Sequence, residues 1–267
     1  MKRTFVVAFA ALLALLAGSA GASSRISEIT DMWWDPEESG WGVNVILQKD
    51  VGFITFFVYD FNRKPIWYTS DIHFQEQNGQ GTLVWKGTLY TTEGPWFGGA
   101  FPPASVSSRA VGTVSFSVSS VDQALLSYTV DDATVLKALH RQTWANEDYS
   151  GSYGGGYSIR AFACNPASLN KLDEQFGAMT VNHTDSRMTL GLATSADTCN
   201  FAGDYVQTGK LGQVTGTYSC AGGVQGTFIA YEMTPTISGF TARVRGQICT
   251  ASGKASLAEF AGRREYK

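Results

Sequence analysis

Apolar and polar residues alternate with a period of two along nearly the whole chain, and short turn signals interrupt the alternation at strand-like spacing. Val114, Phe116 and Val118 fall on one parity while Thr113, Ser115 and Ser117 fall on the other. Phe240, Ala242, Val244 and Ile248 alternate in the same way with Thr241, Arg243, Arg245 and Gln247. A chain patterned like this buries one face of each strand and leaves the other to water, which excludes helical bundles and doubly wound α/β architectures. Glycines are plentiful, yet no strand–Gly-x-Gly-x-x-Gly–helix context occurs, so a dinucleotide site is excluded.

The predicted strands of the first half are Trp41–Gln48, Phe53–Asp60, Ile66–Gln75, Thr82–Thr91, Val111–Val118, Ala124–Val130 and Thr134–Trp144. Those of the second half are Tyr153–Cys164, Phe176–Asn182, Arg187–Ala193, Asn200–Gln207, Gln213–Cys220, Gln225–Met233, Phe240–Ile248 and Ala255–Gly262. Pro166–Glu174 alone hints at a helical turn. Phe53-Ile54-Thr55-Phe56-Phe57-Val58 breaks the alternation, which predicts a strand covered on both faces. Short connections between about eight strands per half give the expected fold: all-β, two tandem antiparallel modules, mainly up-and-down meanders, either two barrels or a barrel and a sandwich. Inward glycines such as Gly216 and Gly246 suit a small barrel. A weak echo between Trp41-Gly42-Val43-Asn44 and Gly156-Tyr157-Ser158-Ile159 hints at duplication.

The halves differ in how they are stabilised. All seven Trp lie at or before Trp144, and all four Cys lie at or after Cys164. Residues 25–148 carry 8 Lys/Arg against 15 Asp/Glu, and residues 149–267 carry 10 against 8. The expected organisation is a signal peptide over 1–22, a Trp-rich barrel over 25–148 and a Cys-containing barrel over 149–267. Lys2 and Arg3, the apolar run Phe5–Leu16 and Ala20-Gly21-Ala22 form the signal pattern. The run is too short for a retained membrane helix. Ser19 stands where an acylated cysteine would be, which argues against a lipid anchor. The expected address is therefore periplasmic or secreted, with membrane association disfavoured.

An even cysteine count behind such a signal implies two disulfides. Strand parity in a meander brings all four cysteines to one end, favouring Cys199–Cys220 across the hairpin at Lys210-Leu211-Gly212 and leaving Cys164–Cys249. No Cys-x-x-Cys occurs and the chain has only 3 His, so no metal or other cofactor is expected. Neither half has the dense basic patch that phosphate backbones require, so nucleic acid is not an expected partner.

Trp33-Trp34-Asp35-Pro36-Glu37-Glu38-Ser39-Gly40-Trp41-Gly42 is the densest motif, read as a tryptophan-bearing turn. With Phe56 to Asp60, Pro65, Trp67 and Tyr90-Thr91-Thr92-Glu93-Gly94-Pro95, it resembles a module of secreted Gram-negative proteins. The signature of that module is Trp-Trp-x-Pro-x-Glu-Ser-Gly-Trp-Gly, and the resemblance covers roughly residues 30–145. Most such proteins have no assigned activity, so it implies a family and an exported setting but no catalytic residues.

The aromatic residues fit two roles, plugging a barrel end or presenting flat faces to a sugar or other flat ligand. On the second role the candidate ligand-binding residues are Trp33, Trp34, Glu37, Glu38, Trp41, Trp67, Trp85 and Trp96, with Tyr59 and Tyr68 beside them. The expected partner is a small molecule, a glycan or an envelope protein. No assembled catalytic set is visible: Glu38-Ser39-Gly40 lacks the preceding glycine of a nucleophile elbow, and His73, His140 and His183 are dispersed. The leading expectation is thus a non-enzymatic binding protein. A hydrolase drawing on Asp35, Glu37 or Glu38 with Asp71 or His73 is one alternative. An outer-membrane barrel is another, disfavoured because the predicted strands, mostly seven or eight residues, fall short of the roughly 9–11 needed to span.

Overall fold

The computed structural model describes residues 28–77, 81–162, 167–246 and 254–264, the last of these by its backbone. Both the 1–22 signal and the Cys164–Cys249 pairing lie outside them. Among the described residues, no helix is long and apolar enough to cross a membrane.

Two closed eight-stranded antiparallel meanders form. The first runs β1 (Asp31–Trp34), β2 (Gly42–Gln48), β3 (Val51–Tyr59), β4 (Pro65–Gln77), β5 (Leu83–Glu93), β6 (Ser107–Val118), β7 (Gln123–Val130) and β8 (Ala133–Arg141). It closes where Trp33 and Trp34 of β1 pair with Arg141 and His140 of β8. The second runs β9 (Gly151–Phe162), β10 (Leu172–Thr184), β11 (Arg187–Thr194), β12 (Thr198–Thr208), β13 (Leu211–Cys220), β14 (Gln225–Thr236), β15 (Gly239–Gly246) and β16 (Lys254–Arg264). It closes where β16 pairs with β9, Phe260 opposite Tyr157.

Three sequence expectations need correction. Trp33 and Trp34 sit on a strand, because the turn proper begins only at Asp35. Strands reach 13 residues at β4 and β10, so strand length does not argue against a membrane barrel. The interiors are apolar, unlike the polar lumen of a spanning barrel, while the outer faces mix polar residues with large apolar ones such as Ile46, Phe53 and Leu125. Finally, β3 keeps its alternation despite the apolar run. Gly52, Ile54 and Phe56 point inward and are buried, whereas Phe53 lies outward at 48% exposure. The helical hint near Pro166 reduces to one 3-10 turn at Ala167–Leu169.

Side chains fill the first barrel: Trp33, Phe56, Phe116 and Leu126 pack at its centre, with Trp33 edge-on to Phe116 at 5.4 Å between centroids. In the second barrel Tyr149, Tyr153, Tyr205 and Phe240 crowd the end where the chain enters. Tyr149 plugs that end, donating its hydroxyl to the Met233 carbonyl at 3.2 Å. The two barrels meet here. Asp31 accepts from the Lys210 amide at 2.9 Å, and Thr143 accepts from the Gly209 amide at 2.8 Å.

Cys199 and Cys220 are directly opposite across β12–β13 and form a disulfide, at the end of the barrel away from the junction. The hairpin between them turns at Gly209-Lys210, with Thr208 already paired to Leu211. The bond links residues 21 apart in sequence. Replacing both cysteines by Ser is expected to cost about 2–4 kcal/mol through the larger freedom of the unfolded chain, read as a lower guanidinium midpoint.

Candidate functional site

The Asp35–Trp41 connection is built by local chemistry. Asp35 accepts the Glu37 amide through its carboxylate at 3.0 Å and the Glu38 amide through its carbonyl at 3.1 Å, with Pro36 fixing the first corner. Glu38 then accepts from the Trp41 indole at 3.0 Å and from the Lys137 ammonium at 2.6 Å. Lys137 stands 5.6 Å from the Trp41 ring centroid. This triad ties the turn to β8. The Lys137 hydrogen bond holds the Glu38 carboxyl below its ordinary range against an opposing effect of desolvation, with the Trp41 indole adding to the lowering.

In an up-and-down barrel successive connections alternate ends, so those after β1, β3, β5 and β7 share the end away from the second barrel. That free end carries an exposed set of aromatics: Tyr59, Phe61, Trp67, Trp96, Phe97 and Phe101. Phe57 of β3 and Trp67 of β4 are direct cross-strand partners on the outer face. Trp67 is 57% exposed and Tyr59, two residues beyond Phe57, is 59% exposed. Together with Gly40, Thr91, Thr92 and Glu93 they line a surface groove of about 550 Å³.

A second groove of about 620 Å³ adjoins it along β5, where Tyr90 lines one and Thr91 the other. Its wall is hydroxyl-rich, with Thr88, Thr113, Ser115, Ser127 and Thr129, and it also takes in Asp71, His73 and Lys86. The wall dips because β5 and β6 run unusually close to their neighbours. A Cβ on Gly87 would lie 2.2 Å from the Asp71 carbonyl oxygen, and one on Gly112 would lie 2.1 Å from that of Thr129. The β5–β6 ladder also shifts register between Leu89 and Tyr90.

The candidates named from sequence therefore separate. Trp33 (0% exposed) and Trp85 (4%) belong to the core and present no face to a ligand. Trp33 donates its indole to the Ile29 carbonyl, whereas the buried Trp85 Nε1 has no partner. Tyr68 packs against the same core. Trp34 is half-buried on β1, and Glu37 is exposed in the turn. Glu38 and Trp41 are bound up in the triad with Lys137. Trp67 lies in the groove, and Trp96, 74% exposed beside Phe97, stands at the same end of the barrel. Phe57, Thr91, Thr92 and Glu93 also line the groove; the sequence placed them in the family-like motifs but not among the ligand-binding candidates. For Phe57 the signal is its parity with Tyr59.

Within the acid–base alternative, Lys137 lowers the pKa of the Glu38 carboxyl and so makes it a poorer proton donor. Asp71 and His73 line the hydroxyl groove, not the turn that carries Glu37 and Glu38. Among the described residues, the one cluster with metal-ligand atoms in reach of each other is Asp197, Cys199 and Cys220. Both sulfurs there are spent in the disulfide, so no thiolate is available. The chain matches no protein-family model and no curated protein sequence.

Proposed function

We propose that this is an exported, water-soluble binding protein whose first barrel recognises a glycan at its free end, without catalysing a reaction on it. The observation that carries the reading is the Trp67–Phe57–Tyr59 surface, three aromatic side chains exposed on neighbouring strands within one groove. The flat faces of such rings match the apolar C–H faces of pyranose rings, while Thr91, Thr92 and Glu93 offer hydrogen-bond partners for sugar hydroxyls. The adjoining hydroxyl groove extends the track, which favours a chain of several sugar units over a monosaccharide. The Cys199–Cys220 disulfide supports an oxidising compartment, hence the periplasm or the extracellular space.

Binding of β-linked oligosaccharides such as chitotetraose and cellotetraose, followed by calorimetry, tests this. Trp67→Ala is expected to weaken binding by about 30-fold, roughly 2 kcal/mol, while leaving the melting transition in place. A second reading is a protein partner on the outer face of β2–β3, favoured by the exposed Ile46 and Phe53, which pair across the two strands. It predicts that Phe53→Ser, not Trp67→Ala, abolishes association.

A further inference from the structure

The second barrel is packed unevenly along its axis. At the junction end, Tyr149, Tyr153, Tyr205 and Phe240 pack ring against ring. Midway, between Met188, Leu190, Val214 and Ala230, lies a void of about 20 Å³. Its walls are apolar only, so it would stay dry. Beyond the Phe201–Phe228 pair, which meet edge to face at 5.4 Å, the interior opens into a chamber of about 280 Å³. The thinning is written into the strands: the inward positions of β15 run Phe240, Ala242, Val244 and Gly246 towards this open end. Strand number does not force a hollow, because the first barrel, also of eight strands, is filled by Trp33, Phe56 and Phe116.

We propose that this chamber is a second, independent ligand site, taking a small molecule with an apolar body and a head that donates hydrogen bonds. Its floor and walls are Phe201, Phe228, Ile159, Leu192 and Val244, which suit an apolar body. The volume sits at the small end of ligand pockets, roughly 300–1,000 Å³, so the occupant is the size of one substituted ring. Polarity is confined to the mouth. There the Tyr157 hydroxyl donates to Asp173 at 3.2 Å, and the Gln175 side-chain amide donates to the other oxygen of the same carboxylate at 3.0 Å. Burial, with Asp173 second, pushes the Tyr157 hydroxyl well above its ordinary range, so it remains a donor to Asp173. Asp197 adds a second carboxylate at the rim, against the single ammonium of Lys171 among the described lining residues. Among the described lining residues negative charge therefore prevails, which favours a hydroxyl or ammonium head and disfavours a carboxylate. The Cys199–Cys220 bond fixes β12 to β13 at the rim, which holds that side of the mouth before anything binds.

Calorimetric titration of the full oxidised chain with 4-alkylphenols, from ethyl to hexyl, tests the proposal, with 4-ethylbenzylamine and 4-ethylbenzoate as head-group controls. One saturable site is expected, with affinity rising along the series until the chamber is full and then levelling. The benzoate should bind at least tenfold more weakly than the phenol and the amine. Val244→Phe should weaken the phenols at least tenfold, and Trp67→Ala, on the other barrel, should leave them unchanged. Phe228→Ala, which joins the chamber to the void beneath, should move the optimum to a longer chain, and it remains informative if Val244→Phe fails to fold. No saturable binding by the unmodified chain would overturn the proposal. So would binding indifferent to Val244→Phe in a variant that still melts cooperatively, or to Phe228→Ala. Equal affinity for the benzoate would overturn the head assignment. Because the probes differ and the barrels carry separate variants, failure here leaves the glycan reading untouched, and the reverse.

Discussion

Replacing Arg141 by Ala is expected to destabilise the protein by about 3–5 kcal/mol, the cost of breaking a buried ion pair from one side. Its side chain is fully buried at the closure of the first barrel. One guanidinium meets five partners there. Nε donates to the Val121 carbonyl and Nη2 to that of Glu28, while Nη1 donates to Asp31 at 3.1 Å and to the Thr30 carbonyl at 3.4 Å. The group also stands 4.5 Å over the Trp33 ring. Asp31 is the same carboxylate that accepts the Lys210 amide from the second barrel, so the loss should reach the junction as well. Arg141→Lys should recover little of it, because an ammonium lacks the planar fork that reaches several carbonyls at once. Arg141→Met with Asp31→Asn should be milder than Arg141→Ala, since the uncompensated carboxylate is removed together with its partner. Urea unfolding monitored by tryptophan fluorescence measures all three, and a loss below about 1 kcal/mol for Arg141→Ala would contradict this account of the closure.

Trp33→Ala is expected to cost about 3–5 kcal/mol as well, from the transfer and cavity terms of a large core side chain. Trp33 packs edge-on against Phe116, donates to the Ile29 carbonyl at 3.1 Å and covers the Arg141 guanidinium. The two losses should not add. Each substitution removes the same contact between ring and cation, so the double variant should be less destabilised than the sum of the singles. Ligand affinity of the folded fraction should be unchanged, because Trp33 is distant in role from the groove. Denaturant curves for the two singles and the double supply the cycle. Strict additivity, or an altered glycan affinity at saturating fold, would show that Trp33 acts otherwise.

The fold was legible because its cause is local. Period-two alternation names the strands, and each short connection lays the next strand antiparallel beside the last, so the Cys199–Cys220 pairing followed from their places at one end of neighbouring strands. The extent of the strands was not: β6 begins at Ser107, in a Pro/Ser/Gly-rich passage whose composition resembles a loop. Trp33 was misread because its neighbours, Trp34 and the Asp35-Pro36 corner, look like turn, while its partner Arg141 is 108 positions away and joins it only on closure. In the site the signal is mixed. Leu83, Trp85 and Leu89 alternate with Lys86 and Thr88, which already points Trp85 inward. Ile66-Trp67-Tyr68 is apolar on both parities, so spacing does not say which face of β4 meets water. The chamber of the second barrel shows only as the shrinking inward series Phe240, Ala242, Val244 and Gly246 of β15, because it is what remains where inward side chains of several strands fail to meet.

The most direct test of the central claim is the set of indole N–H resonances, since all seven Trp lie in the first half of the chain. The full chain would be titrated with chitotetraose and cellotetraose and followed by nitrogen–proton correlation spectra. The account predicts that the Trp67 indole signal moves saturably with at least one of these glycans, while those of Trp33 and Trp85 stay in place. Spectra unchanged by both, or shifts confined to the buried Trp33 and Trp85, would contradict recognition of a glycan at the aromatic end of the barrel.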